Sequence, residues 1–362
     1  MANRLARIRR ELSWQRRSWI RSLLGAHSEA QEHQALAAYA GLMRQAWTQR
    51  PLHPEVMAEL WSDGRFQAAQ GLPAFFNPSQ REREGSSHHY GHDIQLKRHA
   101  GLPLVGPPLP FLLEHGLKVA RSSEFESPRP WARGGYLCMG ELRARWLQER
   151  HGCPARSIGP WILYARPLLD AAALQELREQ LGRTLLVVLA HSWDRVQRRM
   201  DLPACIEAVQ TLAHQQGYTT VIWLRHWQDP TPLPLPDNWI VACNGHRSNP
   251  WFLDGLRTLL ELSDALVSNA FGTHLGYAVA LDRQLHWLAI EAEQDLSAMR
   301  PDQAEREQAE WRERQRLSGE LQALLRADAS AASLRNLLNP YWGFDRIRQP
   351  DELRQLLKRP SE

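Results

Sequence analysis

The sequence predicts an α/β protein whose second half is a doubly wound parallel sheet. Three observations predict it. From residue 169 to residue 290, short apolar runs alternate with helix-period segments, the order expected of a parallel sheet with crossover helices. Leu185-Leu-Val-Val-Leu189 is a continuous apolar run, as a strand buried on both faces should be, and it ends in Ala190-His191-Ser192. Ser263 to Ala280 reads as a strand at Ala265–Val267, a polar turn and the start of a helix.

The elements follow in order. Residues 1–60 read as a helical extension without strands. Residues 61–165 mix apolar runs with turn chemistry, with strand candidates at 102–105, 111–113 and 136–139 and a short helix at 141–149. Ser157 to Ala165 is a strand or loop leaving this first α/β unit. A second unit spans 166–362. Its helices are expected at 169–181, 202–216 and 251–262. Its strands are expected at 185–189, 219–224, 239–242, 265–267 and 285–290. Pro203 sits in the first turn of its helix, where proline is tolerated. Four prolines between Asp229 and Asp237 mark a loop. Residues 292–338 are rich in Glu, Arg and Gln and read as a helical excursion with a solvated face. Residues 351–357 close the chain as a helix.

With 362 residues the chain exceeds what one core usually serves, so two domains are expected. An apolar fraction of 43% and a charged fraction of 23% describe a globular protein, and a net charge of +4 does not call for nucleic acid. The first 25 residues hold seven Arg and one Glu, with Leu5, Ile8, Leu12, Trp19, Ile20, Leu23 and Leu24 able to share one helix face. This is the composition of a basic helix at an anionic membrane surface; a helix docked on its own domain has the same pattern. The cysteines, Cys138, Cys153, Cys205 and Cys243, form no CxxC pair and fit reduced thiols. No apolar run reaches 18 residues. The expected location is cytoplasmic, with peripheral attachment to the inner membrane open.

The candidate site residues lie at strand ends. Ser268, Asn269, Gly272, Thr273 and His274 form a turn before a helix, where free N–H groups and the helix dipole suit a phosphate. His191 and Ser192 end a parallel strand, where open α/β sheets bind ligands, and can donate to a phosphate. His115 follows Phe111-Leu-Leu113 and precedes Gly116; an imidazole there can take a proton from an acceptor hydroxyl, with Glu114 orienting it or acting beside it. His88 and His92 at i, i+4, next to Asp93, suggest a metal at first sight. No distant fourth ligand is evident, so His92 and Asp93 are read as a polar loop over a cleft, with no metal and no cofactor. GxSxG, GxxxxGK[ST] and GxGxxG motifs are all absent.

Glu114-His-Gly116, Ile158 to Ala165, Leu185 to Ser192, Phe252 to Arg257 and Ser268 to Tyr277 recur in the order found in glycosyltransferase-like proteins of bacterial surface-polysaccharide clusters, which the sequence resembles over roughly residues 85–290. It is similar, more distantly, to CDP-glycerol glycerophosphotransferases and capsule Kdo transferases. It differs from the former in having His191-Ser192 in place of their usual His-Pro, and it lacks their Asp-Tyr-Ser-Ser turn. The resemblance implies a GT-B-like architecture, two Rossmann-like domains facing a central crevice, with 61–165 on the acceptor side and 166–362 on the donor side. It implies His115 as base and His191 with the 268–274 turn as donor-phosphate ligands. The implied activity is metal-independent transfer of a sugar from a nucleotide-activated donor to a glycan or lipid-linked acceptor in polysaccharide biosynthesis. A CDP-alditol phosphotransferase and a non-catalytic nucleotide-sugar-binding protein are the alternatives.

Overall fold

The computed structural model describes residues 90–104, 109–123, 127–129, 132–192, 196–226, 229, 234–245 and 249–358. The expected N-terminal extension and its basic helix lie outside the described residues. What is described is a mixed α/β fold with two parallel sheets. The first has three strands in the order β1 (Leu112–Leu113), β2 (Tyr136–Cys138), β3 (Ala155–Ser157). The second has five strands: β4 (Thr184–Val187), β6 (Thr220–Leu224), β7 (Ile240–Ala242), β8 (Ala265–Ser268) and β9 (Gln284–Trp287). Their spatial order is β7-β6-β4-β8-β9, all parallel. Counted along the five, that order is 3-2-1-4-5, so the winding reverses between β4 and β8.

Local chemistry explains the helices between the strands. Helix α1 is His92–His99 and α2 is Glu141–His151. Helix α3 (Ala171–Leu181) is capped by Asp170, whose carboxylate accepts from Ala173 N at 2.9 Å. Asp201 caps α4 (Leu202–Gln216) in the same way, accepting from Ala204 N at 3.0 Å. Helix α5 (Phe252–Leu262) follows β7, and α6 (Thr273–Ala280) follows β8. One face of the second sheet packs Leu186, Ile222, Ala242 and Leu266 against α3, α5 and α6. The other face packs Leu185, Val187, Val221 and Val267 against α4. Apolar residues on both faces are the reason these strands read as continuous runs rather than alternations.

Several expectations are corrected. His92 and Asp93 do not form a loop; they open α1 and are each 2% exposed, because Gly91, at φ +73°, turns the chain against Pro250 and starts the helix there. The run at 102–104 is not a strand. The strand at 157–165 is not formed: β3 ends at Ser157 and Trp161–Leu163 is a 3-10 turn, while β5 (Gln197–Arg199) and β10 (Glu293–Asp295), which pair antiparallel, were also unforeseen. The 292–338 segment is helical over α7 (Pro301–Arg326) and the start of α8 (Ala331–Trp342), but it is not simply solvated. Glu307, Glu310, Leu317 and Leu321 of α7 are buried.

The chain then returns to the first sheet. Helix α8 packs on α2 and α6, and α9 (Pro350–Lys358) packs on α1. Close contacts make the return specific. A Cβ on Gly140 would stand 2.3 Å from Pro340 O, Tyr164 Oη accepts from Arg348 N at 3.0 Å, and Arg354 Nε donates to Ala100 O at 2.7 Å. No helix among the described residues is long and apolar enough to cross a membrane.

Candidate functional site

The two sheets meet at the carboxyl ends of β1 and β8. Beyond β8 the chain turns through Asn269 to Gly272 into α6, and beyond β1 it runs through Glu114 to Leu117. The Thr273 hydroxyl accepts from Leu117 N at 3.0 Å, which closes one loop on the other. Two residues of α7 hold that junction. The Arg314 guanidinium donates to Phe271 O and to Leu117 O. It also pairs with Glu310 at 2.9 Å, and the Glu310 carboxylate accepts from Val119 N at 2.9 Å and Ala120 N at 2.9 Å and from the Ser123 hydroxyl. With a cation and several N–H donors around it, Glu310 keeps its proton affinity below the ordinary carboxylate value despite burial.

The predicted turn is built from mutual contacts. Asn269, just beyond β8, bridges the chain beyond β4 and beyond β9: its Oδ1 accepts from Ala190 N at 2.9 Å and its Nδ2 donates to Ile290 O at 3.0 Å. The Ser268 hydroxyl accepts from Ala270 N at 3.1 Å and bonds His274 Nε2 at 2.8 Å. Gly272, the N-cap of α6, lies under the His274 ring, where a Cβ would come within 2.6 Å of Cε1. Glycine is required there by that close approach, since the backbone at φ −131° is ordinary extended chain. Ser192 is occupied by the β5 strand, accepting from Arg198 N at 3.0 Å.

Basic groups converge on this turn. His191 stacks on His226 with centroids 4.5 Å apart and planes 15° from parallel. His191 is exposed as a residue, although its ring is closely surrounded by protein. Surrounding protein first, and Arg198 second, hold the His191 proton affinity below its ordinary value. Burial, then His191 and Arg314, depress His274 to about 3. Burial, then Arg314, lower Arg198 to about 10. Arg198 stacks over Trp311 at 4.6 Å, and its Nε has no hydrogen-bond partner among the described residues. Two imidazoles held neutral by burial and by the nearby cations therefore stand beside two guanidiniums at the reversal point, with Glu307 3.9 Å from Arg198 and Glu310 paired with Arg314. An anion there would favour the charged form of both imidazoles.

On the β1 side the candidates separate. His115 is half-buried on the loop fixed by Thr273 and within electrostatic range of His92. His92 stacks on Trp161 at 4.6 Å, and burial followed by the charge of His115 depresses it to about 3. Glu114 points to the sheet interior instead: its Oε2 accepts from Met139 N at 2.9 Å, its Oε1 is buried without a partner among the described residues, and desolvation lifts its pKa to about 7. Asp93 is in the α1 first turn. Thus His191, His274, Ser268, Asn269, Gly272 and Thr273 form one constellation. His115 adjoins it through Leu117. Among the described residues no group of three or more His, Cys, Asp or Glu is arranged to hold a metal ion.

Sequence reading missed Arg198, Arg314 and Glu310. The signal for the last two was present. Glu307, Glu310, Arg314, Leu317 and Leu321 follow a 3-4-3-4 spacing, the stripe of a helix with one packed face, although three of the five are charged. Comparison with family models, with curated proteins and with solved structures found no match to this chain.

Proposed function

We propose that this chain is a metal-independent glycosyltransferase of GT-B-like architecture that moves a sugar from a nucleotide-activated donor to a hydroxyl of a cell-surface glycan or its lipid-linked precursor. The observation that carries this reading is the convergence of His191, His274, Arg198 and Arg314 at the reversal point of a 3-2-1-4-5 parallel sheet. Open α/β sheets bind ligands there, and imidazole and guanidinium groups at that point suit a phosphate-bearing ligand. The diphosphate of a nucleotide sugar meets this requirement. As the glycosidic bond to the donor breaks, negative charge grows on the leaving phosphate; in this reading the α6 N-terminus, the imidazoles and Arg198 stabilise it.

His115 stands on the facing loop. In this reading it accepts the proton of the acceptor hydroxyl as that oxygen attacks the sugar carbon, and the nucleotide leaves with the bonding electrons, as UDP or GDP from their sugars and as CMP from a CMP-sugar. The Thr273–Leu117 bond and the Arg314 clamp support the reading because they fix the base-bearing loop against the phosphate-bearing turn. Near-attack geometry of that kind is where a large part of an enzymatic barrier can be removed.

The test is product analysis with UDP-, GDP- and CMP-sugars and with CDP-glycerol, each supplied with a polyprenyl-linked or glycan acceptor. Sugar transfer with release of the corresponding UDP, GDP or CMP is expected, and His115→Ala should lower turnover by about 10²–10⁴ while sparing donor affinity. Release of CMP from CDP-glycerol would instead identify a phosphotransferase. Binding of a nucleotide sugar without turnover under any condition would identify a binding protein.

A further inference from the structure

Beyond the reversal point, the next strand end carries chemistry that the reading above does not use. Arg225 follows β6, the immediate neighbour of β4. Its backbone N donates to Ala242 O at 2.9 Å, extending the β6–β7 ladder by one bond. The side chain is 5% exposed, yet Nε and Nη1 have no hydrogen-bond partner among the described residues. Its recorded neighbours are the Cys243 thiol, which it hydrogen-bonds, and the Asp229 carboxylate, with which it interacts through charge. Asp229 Oδ2 accepts from His226 N at 2.7 Å. His226 stacks on His191, so the β6 end is continuous with the basic wall of the crevice.

A buried guanidinium with two nitrogens unpartnered among the described residues costs stability, so a fold retains it more readily where a ligand uses it. Its position suggests which ligand. In a Rossmann-type half, phosphate lies at the reversal point and the ribose extends over the end of the second strand, where an acidic or basic side chain reads its hydroxyls or their phosphate. Here the second strand is β6, and both kinds of side chain stand at its end. A carboxylate accepts from a vicinal diol, and a guanidinium donates to the same oxygens. We infer that Arg225 and Asp229 form a ribose subsite, so that the crevice takes ribonucleotides and discriminates against their 2′-deoxy counterparts. The inference rests on the proposed phosphate site, and it adds the direction in which the nucleoside lies, over β6 and away from β9.

Calorimetric titration of the full chain with inorganic pyrophosphate, with CDP, UDP, GDP and ADP, and with their 2′-deoxy forms tests it. At least one ribonucleoside diphosphate should bind tenfold or more tighter than its deoxy form and than pyrophosphate. In Asp229→Asn that preference should fall to within twofold, with pyrophosphate affinity unchanged. Arg225→Met should also lose the preference, and its melting temperature should stay level or rise, because the variant removes unpartnered buried donors. Equal affinity for ribo and deoxy forms, or a preference retained in Asp229→Asn, would overturn the subsite while leaving the phosphate site standing. Failure of pyrophosphate and of every nucleotide to bind would overturn both. An Arg225→Met variant that unfolds decides nothing against Asp229→Asn, which leaves the guanidinium in place and is the deciding variant.

Discussion

Two buried groups act in opposite directions as pH changes. Glu114 has a folded pKa of about 7 against an ordinary 4.5, so the folded protein holds its proton more tightly than the unfolded chain does. Its contribution is therefore fully present below about pH 4.5 and is lost as pH rises to about 7. Glu114→Gln removes that loss, and the variant should gain about 3 kcal/mol on the wild type between pH 4.5 and pH 7, read from urea denaturation at both values. His92 is the reverse case, with a folded pKa of about 3 against 6.5. Its neutral ring contributes fully above pH 6.5, and that contribution drains away as pH falls toward 3. His92→Gln should flatten the acid limb of the stability curve; an acid limb with the wild-type slope would show that His92 is not the buried neutral ring described. His191 and His274 are displaced in the same direction as His92, so binding an anion beside them should be accompanied by proton uptake.

At the scale of elements, α6 and α7 decide whether the site is assembled. Gly276 of α6 faces the Trp342 indole of α8, where a Cβ would sit 2.1 Å from Cε2, and the indole N–H donates to Thr273 O at 3.2 Å. Gly276→Ala must push α8 from its seat, and overpacking of this kind typically costs about 1–3 kcal/mol. A lowered melting temperature is expected, together with weaker nucleotide binding, because Thr273 moves with α6. In α7, Glu310 ties the loop carrying His115. Glu310→Gln keeps the shape but removes the charge that partners Arg314 and receives the loop N–H groups. Turnover should fall at least tenfold while donor affinity changes less than twofold. A parallel loss of both would mean that α7 supports the whole fold rather than the alignment of the two loops. This role was hidden in the sequence because Glu and Arg on a long helix ordinarily mark a solvated face.

Across the molecule, what was legible in the sequence was what local pattern controls. Strands β4, β6 and β8 announced themselves as apolar runs because both of their faces are covered, and Asp170 and Asp201 marked helix starts by capping them. The turn at Ser268–His274 could be found because its glycine and polar residues interrupt an apolar pattern. What local pattern does not control stayed hidden: the β5–β10 pairing across nearly a hundred residues, the return of α8 and α9 to the first sheet, and the arrival of Arg198 and Arg314 at the same turn. His92 misled because a glycine before it reads as a loop, whereas Gly91 in the left-handed region starts a helix.

The central claim is that the reversal point between β4 and β8 binds the diphosphate of a nucleotide. Its most direct test is calorimetry of wild type and Arg198→Gln with CDP, UDP, GDP and ADP near pH 7, each titration run in two buffers of different ionisation enthalpy. The wild type should bind at least one of them with net proton uptake, as His191 and His274 become charged beside the anion. Arg198→Gln should bind about tenfold or more weakly, the loss of a hydrogen bond to a charged group being roughly 1.5–3 kcal/mol. Binding without proton uptake and indifferent to Arg198, or no binding of any nucleotide by the folded wild type, would contradict it.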